Sequence, residues 1–307
     1  MRDTRQSIYK NNNDAWQESQ TFRFRYRRPY PLSDDNGFAG ALFYGNTTPV
    51  SRIICIANQK GGVGKTTTAV NLSASLAAAE KKSLLVDCDP QGNATTSLGI
   101  NKSEIANTLY QGLIQQAPAE DLILDTDLEH LKILPAFTNL IGAEVELLGQ
   151  EGREKSLKNL LAPVVNEYAY VLLDCPPSLS ILTVNALTAA QGLLIPLQCE
   201  FFALEGLSQL LETYKRVKRY LNPQLRIEGV LLTMFDKRNN LSHQVAQEAQ
   251  KYLKGMVFET CIPRNVRLGE APSFGKPILL YDIASHGAQA YLALAKEIMN
   301  HRSKEDA

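Results

Sequence analysis

Past residue 51 the chain alternates between two textures. Short runs that are apolar throughout, at residues 53–57, 84–87, 131–134, 170–174, 193–197, 230–234 and 257–262, predict strands. Stretches with a helical period, at 66–79, 139–148, 155–167, 181–190, 204–221, 242–253 and 288–299, predict helices. Continuously apolar strands are covered on both faces, and strands joined through helices run parallel. The expected fold is therefore α/β: a doubly wound, mostly parallel sheet with helices on both faces, in one domain over residues 51–307. The last helical stretch puts Tyr291, Leu292, Ala295, Ile298 and Met299 on one stripe, the pattern of a core helix.

Residues 1–50 read differently. "KNNNDAWQESQ", "FRFRYRRPYP" and "DDNGFAG" carry turn formers and no sustained period. Three readings stand open. One is a disordered leader, favoured by the surrounding polarity. Another is a short strand or basic–aromatic nucleic-acid contact built on the "FRFRYR" alternation. The third is a non-native start, the natural chain beginning at Val50 just ahead of the first strand.

Bulk properties change this picture only a little. A chain of 307 residues can bury a sizeable core. Lys+Arg and Asp+Glu both total 32, so contact with nucleic acid or membrane has to come from a local patch. No apolar run approaches the length of a membrane span, and no secretory segment follows Met1. The five cysteines include no C-x-x-C pair. Cys55, Cys88, Cys175 and Cys261 lie in or beside apolar runs, the expected place for small buried hydrophobes in a reducing cytosol.

Candidate chemistry gathers where strands end. "NQKGGVGKTTT", residues 58–68, follows the first strand and opens the first helix. It fits the phosphate-loop pattern G-x-x-x-x-G-K-[ST] except that Gln59 replaces the first glycine and a second lysine, Lys60, follows it. Backbone N–H groups of such a loop and the helix N-terminus cradle phosphates; Lys65 is placed for the β/γ-phosphates and the Thr66 hydroxyl for Mg²⁺. Two further strands exit into "DCDPQGNAT" and "DCPPSLS". Carboxylates at those strand ends suit Mg²⁺ or its water shell.

"KGGVGKTTT" resembles the deviant Walker A motif of the ParA/MinD class of P-loop ATPases. "LLVDCDPQGNATTSLG" is similar to the stretch after the second strand in the ParA/Soj partitioning branch, and "LLDCPPSLS", "CEFFALEGL", "TMFDKRNNL" and "IPRNVRLGEAPSFGKPI" extend the match. The resemblance covers nearly all of residues 52–300 and none of the leader. It implies an ATP-dependent homodimer in which Lys60 reaches the phosphates held by the partner subunit, supplying charge as an arginine finger does elsewhere. The lost glycine is then no defect.

The same resemblance implies the remaining roles. Lys60, Gly61, Gly62, Val63, Gly64, Lys65, Thr66 and Thr67 hold the phosphates, Thr67 at the α-phosphate. Asp89 positions the attacking water, so that Lys60, Lys65 and Asp89 form the catalytic set. Thr66, Asp87 and Asp174 serve Mg²⁺, with Asp87 organising that site and Asp174 as the Walker B carboxylate. Pro263 and Asn265 recognise adenine. The late strand ends in Thr233-Met234-Phe235-Asp236, without the lysine of a guanine-specific T-K-x-D, so ATP is the expected nucleotide. The implied activity is ATP hydrolysis driving chromosome or plasmid partition, in the cytoplasm and on the nucleoid. The implied partners are double-stranded DNA, bound without sequence preference at Arg238 and Arg267, and a ParB-type centromere-binding protein that stimulates hydrolysis.

Two rivals differ in testable ways. A MinD-like positioning ATPase would end in a basic amphipathic membrane helix, whereas this chain ends in a core-type stripe and mixed charge. A non-hydrolysing ATP-dependent DNA-binding switch would have no need of Asp89 and both lysines. The basic cluster Lys215, Arg216, Lys218 and Arg219 is read as a solvated helix face.

Overall fold

The structure, a computed structural model, describes residues 51–200, 203–253 and 255–305, so the leader readings for 1–50 lie outside the described residues. Five core strands, β1 (Arg52–Ile56), β2 (Ser83–Asp87), β4 (Leu131–Leu134), β5 (Tyr170–Asp174) and β6 (Gly192–Gln198), carry expected apolar runs, and the expected run at 230–234 falls at the end of a sixth, β7 (Arg226–Thr233). With β3 (Leu124–Asp125) they form a seven-stranded sheet of order β3-β4-β2-β5-β1-β6-β7. All neighbours pair in parallel except β3, which runs antiparallel to β4 at the edge.

Side-chain alternation along each strand sends successive residues to opposite faces. Ile53, Cys55, Leu84, Val86, Val171, Leu173 and Leu193 thus join one apolar core, while Ile54, Ile56, Leu85, Leu172 and Leu194 join the other. The second core is closed by α1 (Lys65–Ala78) and the last helix, α11 (His286–Glu305). Tyr291, Ala295 and Ile298 of the expected stripe are buried there, Leu292 and Met299 are partly exposed, and Leu294, outside that stripe, is buried with them. The intervening α2 (Asn93–Ser97), α3 (Leu109–Ile114), α4 (Leu140–Glu146), α5 (Ser156–Leu161), α6 (Ile181–Ala189), α7 (Ala203–Tyr220), α8 (Asn240–Tyr252), α9 (Val266–Glu270) and α10 (Ile278–Tyr281) include four short helices that periodicity alone does not predict: α2, α3, α9 and α10.

Two expectations need correction. Residues 257–262 do not form a ladder strand; they make isolated bridges, Val230 with Val257 and Phe235 with Pro263. The Glu297 carboxylate accepts the Glu259 and Thr260 N–H groups at 2.8 and 3.0 Å, satisfying amides that a strand would have given to a neighbour. The expected helix at 155–167 is broken at Pro163, which has no N–H to donate. A single α-turn pair, α5, is flanked by 3₁₀ turns at Arg153–Lys155 and Val165–Glu167.

The order of the strands fixes where a ligand can sit. β1 lies between β5 and β6; the chain leaves β1 toward β2 on one side and later crosses from β5 to β6 on the other. Ligands bind at the carboxyl ends of strands at such a switch point.

Candidate nucleotide site and basic surface

The loop leaving β1 is pinned by its own polar side chains. Buried Asn58 donates from Nδ2 to the Pro196 carbonyl on β6 at 2.7 Å, and its Oδ1 accepts the Lys60 N–H at 3.0 Å. Gly62 and Gly64 take left-handed conformations, with φ of 75° and 87°, which only glycine adopts without strain. A Cβ added at Gly61 or Gly62 would meet nothing within 4 Å, so the loop is open there, with room for a phosphate chain. Val63 is buried beneath it, and Gly64 N-caps α1, whose first residues are Lys65, Thr66 and Thr67.

Lys65 is buried, and its Nζ donates to the Lys60 carbonyl at 3.0 Å. Burial pulls its pKa down, while nearby Asp174, Cys175 and Asp89 pull it back up. Lys60 points elsewhere: its Nζ lies 2.8 Å from Glu200 Oε2 on the loop after β6. Both ends of that pair are partly exposed, 35% and 46%.

Parallel register brings the strand-end carboxylates together. Asp174 pairs with Ile56 of β1 on one side and with Asp87 of β2 on the other. Both aspartates are fully buried. Asp87 is engaged inward: Oδ2 accepts from the Thr95 N–H at 2.9 Å and hydroxyl at 2.7 Å, and Oδ1 from the Asp89 N–H at 3.2 Å. Burial, the largest effect, raises its pKa to about 6 despite those bonds. Asp87 therefore shapes the loop that carries Asp89, whose Oδ1 in turn accepts the Gln91 N–H at 2.9 Å. Asp174 is the exception, because both its carboxylate oxygens are buried without a hydrogen-bond partner. Burial first, then the Asp87 charge, pushes its pKa well above the carboxylate range. A buried, unsatisfied carboxylate beside Lys65 and the loop fits a divalent cation and its water shell. Among the described residues no group of three or more His, Cys, Asp or Glu side chains is arranged to hold a metal alone, so phosphate oxygens would have to complete the coordination of such a cation.

On the far side of α1's first turn, a cavity of about 200 Å³ is lined by Gly64, Thr67, Ile262, Pro263, Asn265 and Leu268, among others. Pro263 and Asn265 thus meet the loop across space, though some 200 residues separate them in sequence. Asn265 Oδ1 also N-caps α9 by accepting the Arg267 N–H at 2.8 Å.

A family model described as "AAA domain" matches residues 51–227. The chromosome partitioning protein ParA of Myxococcus xanthus is 57% identical over 264 residues, which is 85% of this chain and 93% of that protein. The chain belongs to the ParA/Soj family of partitioning ATPases. Another member, the sporulation initiation inhibitor protein Soj of Bacillus subtilis, is 55% identical over 81% of this chain and 98% of its own length. A crystal structure of cobyrinic acid a,c-diamide synthase from Mycobacterium smegmatis, with bound ADP and magnesium, superposes with a TM-score of 0.73. It is 36% identical, covering 82% of this chain and 96% of that one.

The two arginines that the ParA/Soj resemblance marks for DNA are both exposed and both paired. Arg238, on the loop after β7, contacts Asp236 at 3.3 Å. Arg267, on α9, lies 2.8 Å from Glu270 and 3.6 Å from Asp282, and Glu270 also accepts the Tyr281 hydroxyl at 3.0 Å. Lys215, Arg216, Lys218 and Arg219 line the outer face of α7, whose Leu207, Leu210 and Val217 are buried, as expected of a solvated face. No helix among the described residues is long and apolar enough to cross a membrane.

Sequence reading misses Asn58, Glu200 and Thr95. Asn58 and Glu200 sit just beyond the carboxyl ends of β1 and β6, the positions where polar residues already mark a ligand site, so that rule applied to every strand would have found them; Thr95 lies on α2, and only the fold brings it to Asp87. The cysteines behave as small hydrophobes: all five are free thiols and four are buried, with Cys55 and Cys175 sulfurs 3.4 Å apart across β1 and β5.

Proposed function

We propose that this chain is an ATP-driven partitioning ATPase whose ATP-bound homodimer binds DNA without sequence preference and is released when a ParB-type partner stimulates hydrolysis. The observation that carries the reading is the unsatisfied Asp174 carboxylate, buried at the end of β5 beside a phosphate loop with two lysines. ATP sits with its phosphates along Gly61–Lys65 and its base in the cavity at Pro263 and Asn265. Thr67 contacts the α-phosphate, and Lys65 neutralises the β- and γ-phosphates. Thr66 and Asp174 would hold Mg²⁺, with Asp87 fixing the neighbouring loop; when bound, such an ion would supply charge screening at the phosphate oxygens.

Asp89 orients the attacking water toward the γ-phosphate. Asp87 supports it by accepting its N–H, so the two carboxylates divide one task between alignment and support. Lys60 leaves Glu200 and crosses to the phosphates of the second subunit, where it stabilises transition-state charge. Catalysis therefore waits for dimerisation. Arg238 and Arg267 contact DNA phosphates, which explains the absence of base readout and gives a steep salt dependence. The working place is the cytoplasm, on the nucleoid, and the protein needs no membrane.

ATP turnover with and without duplex DNA and a ParB-type partner tests the reading. Slow basal hydrolysis that both additions raise supports it; ATP binding with no turnover under any condition favours the non-hydrolysing switch.

A further inference from the structure

Thr233 is the last residue of β7 and is buried. Its hydroxyl donates to the Val63 carbonyl at 2.8 Å across 170 residues of sequence. Its Cγ2 lies 3.8 Å from where a Gly64 Cβ would stand, so the end of β7 packs directly on the phosphate loop. The next residue, Met234, has φ of 50°, a left-handed conformation that a long side chain rarely adopts. Such a strained backbone persists only where surrounding contacts over-determine it, which marks this strand end as held in place.

A trans peptide is planar, and its C=O and N–H point in opposite directions. The Val63 carbonyl and the Gly64 N–H belong to the same peptide. Tying that carbonyl to the end of β7 therefore turns the Gly64 N–H away from β7. With Gly64 at φ of 87°, the peptide has rotational freedom that a Cβ would have removed, so the loop needs an external anchor.

We infer that Thr233 is a positioning residue for the nucleotide, its hydroxyl setting the Val63–Gly64 peptide so that the Gly64 N–H meets a phosphate oxygen. This rests on the nucleotide reading of the loop and adds to it a residue from the opposite end of the chain. Thr233 also lines the cavity at Pro263 and Asn265, but its role runs through the Val63–Gly64 peptide, and Thr233→Val keeps the side chain's shape in that cavity while removing the hydroxyl. The threonine fixes the orientation of a donor before ligand arrives, so the donor need not be reorganised on binding.

The experiment compares Thr233→Val with Thr233→Ser in the full chain. MgADP affinity is measured by titration calorimetry, the Gly64 amide is followed by ¹⁵N–¹H correlation, and apo unfolding midpoints are recorded on the same preparations. The Val variant is expected to lose about tenfold in MgADP affinity and most of the Gly64 shift on binding. The Ser variant is expected to keep both. Wild-type affinity and an unchanged Gly64 shift in the Val variant would overturn the inference, as would equal losses in the Ser variant. Should the Val variant fail to fold, Thr233→Cys, a weak donor, replaces it and is read the same way. Failure of the wild type to bind MgADP would bring down the nucleotide reading itself, a result distinct from a Val variant that matches a binding wild type.

Discussion

Lys60 Nζ and Glu200 Oε2 lie 2.8 Å apart within one subunit, so the lysine that sets this loop apart is held by its own chain. The pair is partly exposed and is worth no more than about 1 kcal/mol. Such a contact is readily exchanged for a phosphate. Lys60→Ala is expected to bind ADP within about threefold of wild type while remaining monomeric with ATP. Light scattering with ATP decides; an unimpaired dimer would remove Lys60 from the second subunit's site.

Lys65→Ala removes the buried ammonium at the head of α1. Nucleotide affinity is expected to fall by at least about 100-fold, or about 2.7 kcal/mol, as read by titration calorimetry. Because Lys65 is buried beside Asp174 and Asp89, the variant also leaves those carboxylates without their cation.

Asp89→Ala is expected to bind ATP and dimerise with turnover reduced by about 100-fold or more. The Asp87–Thr95 bonds survive this change, so nucleotide affinity should move little. Normal phosphate release would place the water-orienting group elsewhere.

Gly92→Ala tests the loop that presents Asp89. A Cβ there would sit 2.3 Å from the Ala136 carbonyl oxygen, and Gly92 has φ of 61°. Neither backbone can yield cheaply, so the substitution is expected to destabilise the fold by about 2 kcal/mol or more. Urea unfolding measures it, and a stability unchanged from wild type would show that the loop relaxes.

Arg238→Glu is expected to weaken DNA binding similarly on any duplex, leaving ATP-dependent dimerisation intact. Arg267→Glu carries an extra consequence, since it faces Glu270 and Asp282 and adds a third negative charge to that group. Gel shifts and light scattering on one preparation separate the two effects. Loss of dimerisation together with DNA binding at Arg267 would assign that residue to the nucleotide pocket instead.

The phosphate loop, Asp87, Asp89 and Asp174 are legible because each sits at or just past the end of an apolar run, where local pattern and strand-end chemistry coincide. The two apolar faces are legible for the same reason, alternation being a local property. Segment 257–262 is misread as a strand because its amides find Glu297, some 38 residues away, and no periodicity reports a partner at that distance. Glu200 escapes for a related cause. Its meaning lies in Lys60, 140 residues earlier, and only the β1–β6 pairing brings the two loops together. Asp87 looks like Asp174 in sequence, yet Thr95 hydrogen-bonds one, while the other has no well-formed hydrogen bond, the Thr66 hydroxyl being close enough to favour its charge.

The thiols offer a final practical handle. Cys55, Cys88, Cys175 and Cys199 are buried in the folded chain and Cys261 alone is partly open. A maleimide or aromatic disulfide reagent should therefore modify one cysteine per native molecule and five after denaturation. Titrating reactive sulfur thus counts folded molecules directly, without an engineered label. Each variant above can be checked this way before its loss of activity is ascribed to the active site rather than to a collapsed preparation.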